Sequence, residues 1–298
     1  MAKPFVKWAG GKTRLLDKIR PKYPLGLGWH ITKYAEPFVG GGAVLFDVLN
    51  NYPISEIYIS DVNRELIFTY ISVRDNCKQL ITLLEHYEQE YIHQNVEKRK
   101  EIYYKNRDTF NLLKKGTKLD LELAALFIFL NRTCFNGLYR VNSNGGFNVP
   151  QGSYANPCIC DKINIRAVSN KLQNVEIICG DYTLSRNFID ERTFAYFDPP
   201  YRPLSATSSF TAYSQNGFGD AEQAELAKFI DEMSGRGAFV IASNSDPKNA
   251  DKNDDFFDTL YSKHEIYRID AGRAINSVGA GRGKVKELLI CGLGGSGW

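Results

Sequence analysis

The chain has no run of about eighteen consecutive apolar residues, the length a membrane-spanning helix needs, so an integral membrane protein is excluded from the expectation. Its start, Met1-Ala2-Lys3-Pro4, lacks the apolar core of a secretory signal, and the expected location is the cytoplasm. Histidine is scarce, with four in the chain, and the six cysteines (Cys77, Cys134, Cys158, Cys160, Cys179 and Cys291) show no Cys-x-x-Cys spacing. Neither a disulfide framework nor a zinc site is expected, and no metal is assigned. Internal repeats and low-complexity segments are also missing, which excludes solenoid and disordered classes. The formal net charge of +3 is too small by itself to announce a nucleic-acid partner.

What is present is an ordinary globular composition: 298 residues, 43% hydrophobic, enough for one large domain or a large and a small one. The charge is unevenly placed. Lys3, Lys7, Lys12, Arg14, Lys18, Arg20 and Lys22 face only Asp17 near the start, and Arg273, Arg282, Lys284 and Lys286 cluster near the end without an acid between them and their glycines. Both ends can bring cations to one phosphate-facing surface.

The organising stretch is Asp198-Pro199-Pro200-Tyr201, which follows the apolar run Thr193-Phe194-Ala195-Tyr196-Phe197. A run of β-branched and aromatic residues predicts a buried strand, and consecutive prolines cannot continue a sheet ladder. A carboxylate is thus delivered at the carboxyl edge of a strand, where open α/β sheets place their ligands. For a substrate amine whose lone pair is delocalised into a base, Asp198 and a freed carbonyl can each accept one N–H and stabilise the developing positive charge. Tyr201 can stack on the base.

Other segments supply the rest of a nucleotide-type sheet. Phe5-Val6-Lys7-Trp8-Ala9-Gly10-Gly11-Lys12-Thr13 has the end of a phosphate loop but Val6 where that loop needs glycine, which discounts a nucleoside triphosphatase. Its Gly-Gly turn after an indole suits close backbone approach to a small ligand, with Lys12 available for a carboxylate. Tyr34 to Phe46 reads as strand, Gly40-Gly41-Gly42 turn and helix, without the six-residue dinucleotide fingerprint, which argues against NAD. Asp61 ends a second strand about twenty residues later, placed for a ribose hydroxyl pair or for capping a helix. Asp181 ends the strand-like Val175-Glu176-Ile177-Ile178-Cys179, a candidate for an adenine edge or again a cap. Asp220 is expected to cap a helix, and residues 238–243 and 285–291 to form strands, with a loose tail from Gly292. The pair Pro157-Cys158 has the form of a cytosine C5 nucleophile but lies in a loop far from Asp198, so Cys158 is read as structural.

Residues 64 to about 130 have helical periodicity, a helical insertion into the sheet domain. After it, residues 131–152 alternate aromatic, Arg and Asn residues around Asn-Gly and Asn-Gly-Gly turns, a hairpin able to read base edges and wedge a flat side chain into a stack.

Taken in order, Lys7-Trp8-Ala9-Gly10-Gly11-Lys12, Glu36-Pro37-Phe38-Val39-Gly40-Gly41-Gly42, Asp61-Val62-Asn63, Phe135-Asn136-Gly137-Leu138-Tyr139-Arg140, Phe147-Asn148-Val149-Pro150 and Asp198-Pro199-Pro200-Tyr201 resemble the Dam family of DNA adenine N6-methyltransferases. The likeness covers nearly the whole chain, including Pro203-Leu204-Ser205, Thr207 and Phe210-Thr211. It implies an α/β fold with a Rossmann-like sheet binding S-adenosyl-L-methionine (SAM), formed by residues 1–63 and 165–298. Residues 64–164 would be an inserted helical target-recognition domain carrying a β-hairpin. By the same resemblance, Trp8, Ala9, Gly10, Lys12, Glu36, Pro37, Phe38, Gly40, Asp61, Asp181 and Asp198 fall on the cofactor side. Asp198, Pro199, Pro200 and Tyr201 serve the flipped adenine. Lys7 and Arg140 match positions that read the guanines of GATC, and Phe135, Asn136, Leu138 and Pro150 other contacts with the bases. The implied partner is double-stranded DNA, bound by a monomer or a weak dimer.

Phe135 stands where a tyrosine is frequent, Gln151 where an aromatic is usual, and Gly145-Gly146 where the tip often carries charge. These departures bear on sequence preference and not on catalysis. Asp198, in place of the serine common in cytosine N4 enzymes, argues with the hairpin against cytosine N4 or RNA adenine as the substrate. Intact Asp198, Tyr201 and glycine turn argue against a catalytically silent duplex-binding protein.

Overall fold

The computed structural model describes residues 1–117, 120–202, 218–272 and 284–292. The family-like segment from Pro203 to Thr211, the basic residues Arg273 and Arg282, and the tail after Gly292 lie outside the described residues. The amino-terminal region holds short turns and α1 (Leu16–Ile19). Pro21, without an N–H, opens a separate 3-10 turn over Arg20–Lys22 and stops propagation.

Among the described residues the strands β1 (Lys33–Glu36), β2 (Glu56–Asp61), β3 (Val175–Cys179), β4 (Thr193–Phe197), β5 (Phe239–Ser245), β6 (Glu265–Gly272) and β7 (Lys284–Gly292) form one seven-stranded sheet. Its order is β3-β2-β1-β4-β5-β7-β6. β1, β4 and β5 run parallel, and β7 is antiparallel to β5 and to β6. This mixed α/β sheet is the Rossmann-like arrangement expected. β6 was not among the expected strands; its polar–apolar alternation, Glu265-Ile266-Tyr267-Arg268-Ile269-Asp270, is that of a half-covered edge strand. All five residues of β4 are buried, as a central strand requires.

The helices are α2 (Ala43–Asn51), α3 (Arg64–Asp75), α4 (Cys77–Ile92), α5 (Val96–Leu113), α6 (Leu121–Thr133), α7 (Lys162–Leu172), α8 (Asp220–Gly235) and α9 (Phe256–Leu260). Local chemistry starts several of them: Asn63, Asn95, Asp120 and Asp161 each accept an N–H of the first turn of α3, α5, α6 and α7. At α8 the N-cap is Gly219, whose N–H goes to Glu222 at 2.8 Å, while Asp220 is the first helical residue and bonds elsewhere, so the expected cap is displaced by one position.

Two compact units are distinguishable. One comprises Met1–Thr13, Val39–Asn51 and Ile59–Asp181. Its centre is α6, buried on every side from Leu123 to Leu130 and packed by α3, α4 and α5, which explains a helix that is apolar all round. Each large side chain so buried contributes about 1.5–3 kcal/mol. The other comprises Arg14–Phe38, Tyr52–Tyr58 and Tyr182–Trp298 and holds β1, β4, β5, β6, β7 and α8. No helix among the described residues is long and apolar enough to cross a membrane.

Candidate active site

In the second unit the strand order reverses between β1 and β4, the switch point at which open α/β sheets leave a crevice beyond the strand ends. β1 delivers Glu36 there and β4 delivers Asp198. Glu36 is buried and accepts the Tyr34 hydroxyl at 2.6 Å. Phe38 stacks on Tyr182 at 5.5 Å and meets Phe218 edge-on at 5.9 Å.

Asp198 is half-buried, and its Oδ1 accepts the Ser243 hydroxyl at 2.9 Å. Ser243 Oγ is also 3.0 Å from the Tyr196 hydroxyl. Burial, then the neighbouring Asp198 charge, drives the Tyr196 phenol well above its ordinary range, so it remains a donor to Ser243 and leaves the serine proton for the carboxylate. Tyr201 donates its hydroxyl to Glu287 of β7 at 2.6 Å. Its phenol is likewise held high by burial and by Asp198 and Glu287. The next residue, Arg202, makes a fork to Asp220 at 2.6 and 3.1 Å, reaches Asp254 at 2.6 Å, and lies 4.2 Å from the Phe256 ring centre. Ser243, Glu287 and Arg202 were not named as site residues from sequence, and Asp220 only as a helix cap; a single polar residue carries no local signal of the distant contact it will make.

In the first unit, Asp61 does not cap α3. The cap of α3 is Asn63, and Asp61 instead accepts the Asn63 N–H at 2.9 Å and the Gly40 N–H at 3.1 Å, tying the glycine turn to the end of β2. Burial pushes its carboxyl upward, opposed by the N–H groups of Asn63, Gly40 and Val62. Gly40 has φ +47°, and a Cβ there would stand 2.6 Å from Trp8 Cδ1, so the bare backbone is what admits the indole. Trp8 in turn stacks on Tyr139 at 5.9 Å and Phe127 at 6.4 Å. Lys12 is only 3% exposed, and its ammonium donates to the Gly10 carbonyl at 2.6 Å. Ala9 and Gly10 are exposed beside it. Asp181 is exposed after β3, and the preceding Gly180 N–H bonds to the Asp61 carbonyl at 3.0 Å.

The same unit gathers the predicted base-reading residues. Instead of a regular two-stranded hairpin, residues 134–151 form a 3-10 turn (Phe135–Gly137) and isolated bridges, Cys134 with Gln151 and Val141 with Phe147. Backbone bonds cross this segment from Asn142 to Gly146, Asn148 to Arg140 and Gly152 to Thr133, and side chains add to them: Asn142 Oδ1 accepts the Gly146 and Asn144 N–H groups, and Asn111 holds both backbone groups of Phe147. Asn136 stands at φ +54° and Gly137 at +64°. Phe135 is 51% exposed, and its N–H bonds to the Pro150 carbonyl at 2.9 Å. Leu138 is half-buried, and Arg140 donates to Asn148 at 2.8 Å. Lys7 comes to the same place: a Cβ on Gly137 would be 2.5 Å from Lys7 Cβ. Its ammonium lies 4.0 Å from the Tyr154 ring centre. Gln151 donates to the Tyr91 hydroxyl at 2.6 Å.

The proline-linked Cys158 sits outside both groupings; burial raises its thiol pKa, with Asp161 adding and Arg132 opposing.

Comparison with known proteins gives a consistent result. The family described as D12 class N6 adenine-specific DNA methyltransferase matches residues 8–275. The chain is 47% identical over 290 residues, 97% of its length and 98% of the relative's, to a protein of Methanocaldococcus jannaschii named Type II methyltransferase M.MjaIII. It is 36% identical to Type II methyltransferase M1.LlaDCHI of Lactococcus lactis, over 98% of this chain and 96% of that one. It is 34% identical to the DNA adenine methylase of Escherichia coli, over 96% of this chain and 93% of that one.

Proposed function

We propose a target and a mechanism for this chain, which belongs to the D12 class of N6 adenine-specific DNA methyltransferases. It is a SAM-dependent enzyme that methylates adenine in DNA. It acts on double-stranded GATC, in the cytoplasm where the DNA lies, as a monomer or a weak dimer. Residues 64–164 serve as the target-recognition insertion and residues 1–63 and 165–298 as the catalytic part.

The observation that carries the mechanism is the turn at the end of β4, where Asp198 is oriented by Ser243 and Tyr201 is anchored by Glu287. The residues assigned to SAM fit it chemically. Asp61 accepts backbone N–H groups through both oxygens, and a carboxylate with about four acceptor sites retains capacity for a ribose hydroxyl. Lys12 offers a cation to the carboxylate, Asp181 an acceptor for the adenine edge, and the Gly40 backbone beside Trp8 a surface free of side chain. Ala9, Gly10, Glu36, Pro37 and Phe38 complete that set. Bound SAM supplies an electrophilic methyl group on a sulfonium.

The target adenine is flipped from the duplex, at a cost of a few kcal/mol, and stacked on Tyr201. Asp198 and the Pro199 carbonyl each accept one N–H of its amine, which restores the nitrogen lone pair for direct attack without a covalent enzyme intermediate. Pro200 enforces the turn. Lys7 and Arg140 read guanines through their O6 and N7 acceptors. Phe135, exposed on its turn, enters the stack beside Asn136 and Leu138, with Pro150 as a further base contact.

The test is transfer of labelled methyl from SAM to short duplexes carrying GATC or the scramble GTAC, followed by nucleoside analysis. Label in N6-methyladenine from the first duplex alone is expected. Label in both would keep the chemistry and overturn the target; label in cytosine would overturn the role of the turn; no label despite SAM binding would overturn DNA as the substrate and favour RNA.

A further inference from the structure

Proline fixes φ but leaves ψ open, and it has no N–H with which a turn can brace itself. The torsion that decides where the Pro200 carbonyl points, and where Tyr201 begins, therefore needs an external hold. The structure contains one, made by two amides in the second unit that the mechanism above does not use. Gln223 lies in the first turn of α8, is fully buried, and donates its Nε2 to the Pro200 carbonyl at 3.0 Å. Its Oε1 accepts Asn244 Nδ2 at 3.2 Å, and Asn244, on β5, is 2% exposed. Asn244 Oδ1 accepts the Arg202 N–H at 3.3 Å and the Ser245 N–H at 2.9 Å. Backbone groups on both sides of Tyr201 are thus gripped by one pair of side chains.

The geometry points to Gln223 and Asn244 as positioning residues: an amide relay from α8 through β5 sets ψ of Pro200 and with it the placement of Tyr201, the ring on which the flipped adenine stacks. Each amide has both a donor and an acceptor in use, so neither can flip without losing a bond, and the relay has one arrangement. A buried pair serving only to join helix to sheet would need no bond to the turn. Arg202, clasped by Asp220 and Asp254, closes the other end of the same segment.

The inference rests on the role proposed for Asp198-Pro199-Pro200-Tyr201, and its test separates the two. Gln223→Glu keeps the acceptor for Asn244 and removes the donor to Pro200; Asn244→Asp keeps the acceptor for Arg202 and removes the donor to Gln223. Both variants are compared with the unaltered chain in single-turnover methyl transfer, in SAM and duplex binding, and in fluorescence of 2-aminopurine at the target position. The expected result is a rate about 10²-fold lower, the scale of a misplacement near 1 Å, with binding and the flipping signal retained. Undiminished rates, or loss of SAM binding, DNA binding and thermal stability together, would overturn it. A crystal structure of Gln223→Glu gives a reading independent of activity: a Pro200 carbonyl unmoved from its position in the unaltered chain would also overturn the relay. Absence of adenine methylation by the unaltered chain would instead count against the function proposed above.

Discussion

The side-chain amide of Asn131 closes on the backbone of Lys7 from both sides, accepting the Lys7 N–H at 2.7 Å and donating to the Lys7 carbonyl at 2.8 Å. The same amide reaches the Gly137 carbonyl at 3.1 Å. A buried residue at the end of α6 thereby joins the amino-terminal strip to the turn that carries Phe135 and Asn136. Asn131→Ala removes these bonds, each worth about 0.5–1.5 kcal/mol net. The expected outcome is a discrimination between GATC and single-base variants reduced by roughly tenfold or more, with KM for SAM unchanged. Ratios of kcat/KM across a panel of duplexes decide it, and an unchanged ratio would sever Asn131 from specificity.

Asp198→Ala removes the carboxylate that Ser243 orients. Transfer should fall by at least about 10²–10³-fold, the size of losing one well-placed electrostatic group, while duplex binding stays near the unaltered value. Gel-shift and methyl-transfer assays on one preparation make the comparison. Loss of DNA binding in parallel would make Asp198 a structural residue.

At Gly40 the backbone has φ +47° and the indole of Trp8 occupies the space of a Cβ. Gly40→Ala meets both the left-handed penalty of about 1–2 kcal/mol and that contact. SAM titration should show affinity weaker by roughly tenfold or more, since about 1.4 kcal/mol is one decade. Affinity equal to that of the unaltered chain would place the cofactor elsewhere.

Cys158→Ser should retain full methyl transfer, because no step of the mechanism uses a thiolate. Burial holds Cys134 and Cys291 at about 12, so both should resist alkylation in the native protein at pH 8 and react after unfolding. Mass mapping after iodoacetamide treatment reports both; an inactive serine variant would reopen covalent chemistry.

Asp258 gives a pH dependence of stability. Its carboxylate takes Arg268 at 2.8 and 2.6 Å, and this hydrogen bonding, against some burial and with help from Lys248, holds its pKa below the ordinary value. The unfolded carboxyl titrates near about 3.9, so the contribution is complete above that pH and is lost as the pH falls through the lower folded value. The melting-temperature gap between the unaltered chain and Asp258→Asn should be steady near neutrality and shrink below about pH 4. A gap that widened in acid would contradict the assignment.

Much of the sheet was legible because its signals are local: a run such as Thr193 to Phe197 is apolar enough to be central, and two prolines end it without reference to the rest of the chain. β6 was missed because a half-covered edge strand with charges on alternate residues resembles a solvated loop. The hairpin was legible as turns but not in its bracing, since Asn111, which holds the backbone of Phe147, comes from α5, 36 positions away.

By itself the sequence determined the strand that carries Asp198, the glycine turns and the helical block, and it offered the candidate reacting groups, all of which follow from propensity, proline and glycine geometry and residue chemistry over a few neighbours. Tertiary structure alone decided that Ser243 orients Asp198, that Glu287 anchors Tyr201, that Gln223 and Asn244 hold the turn, and that Asn131 grips Lys7. These partners are separated by 21 to 124 positions. A hydrogen bond over that span is specified by where the sheet and helices place two side chains, and no short pattern in either segment encodes it.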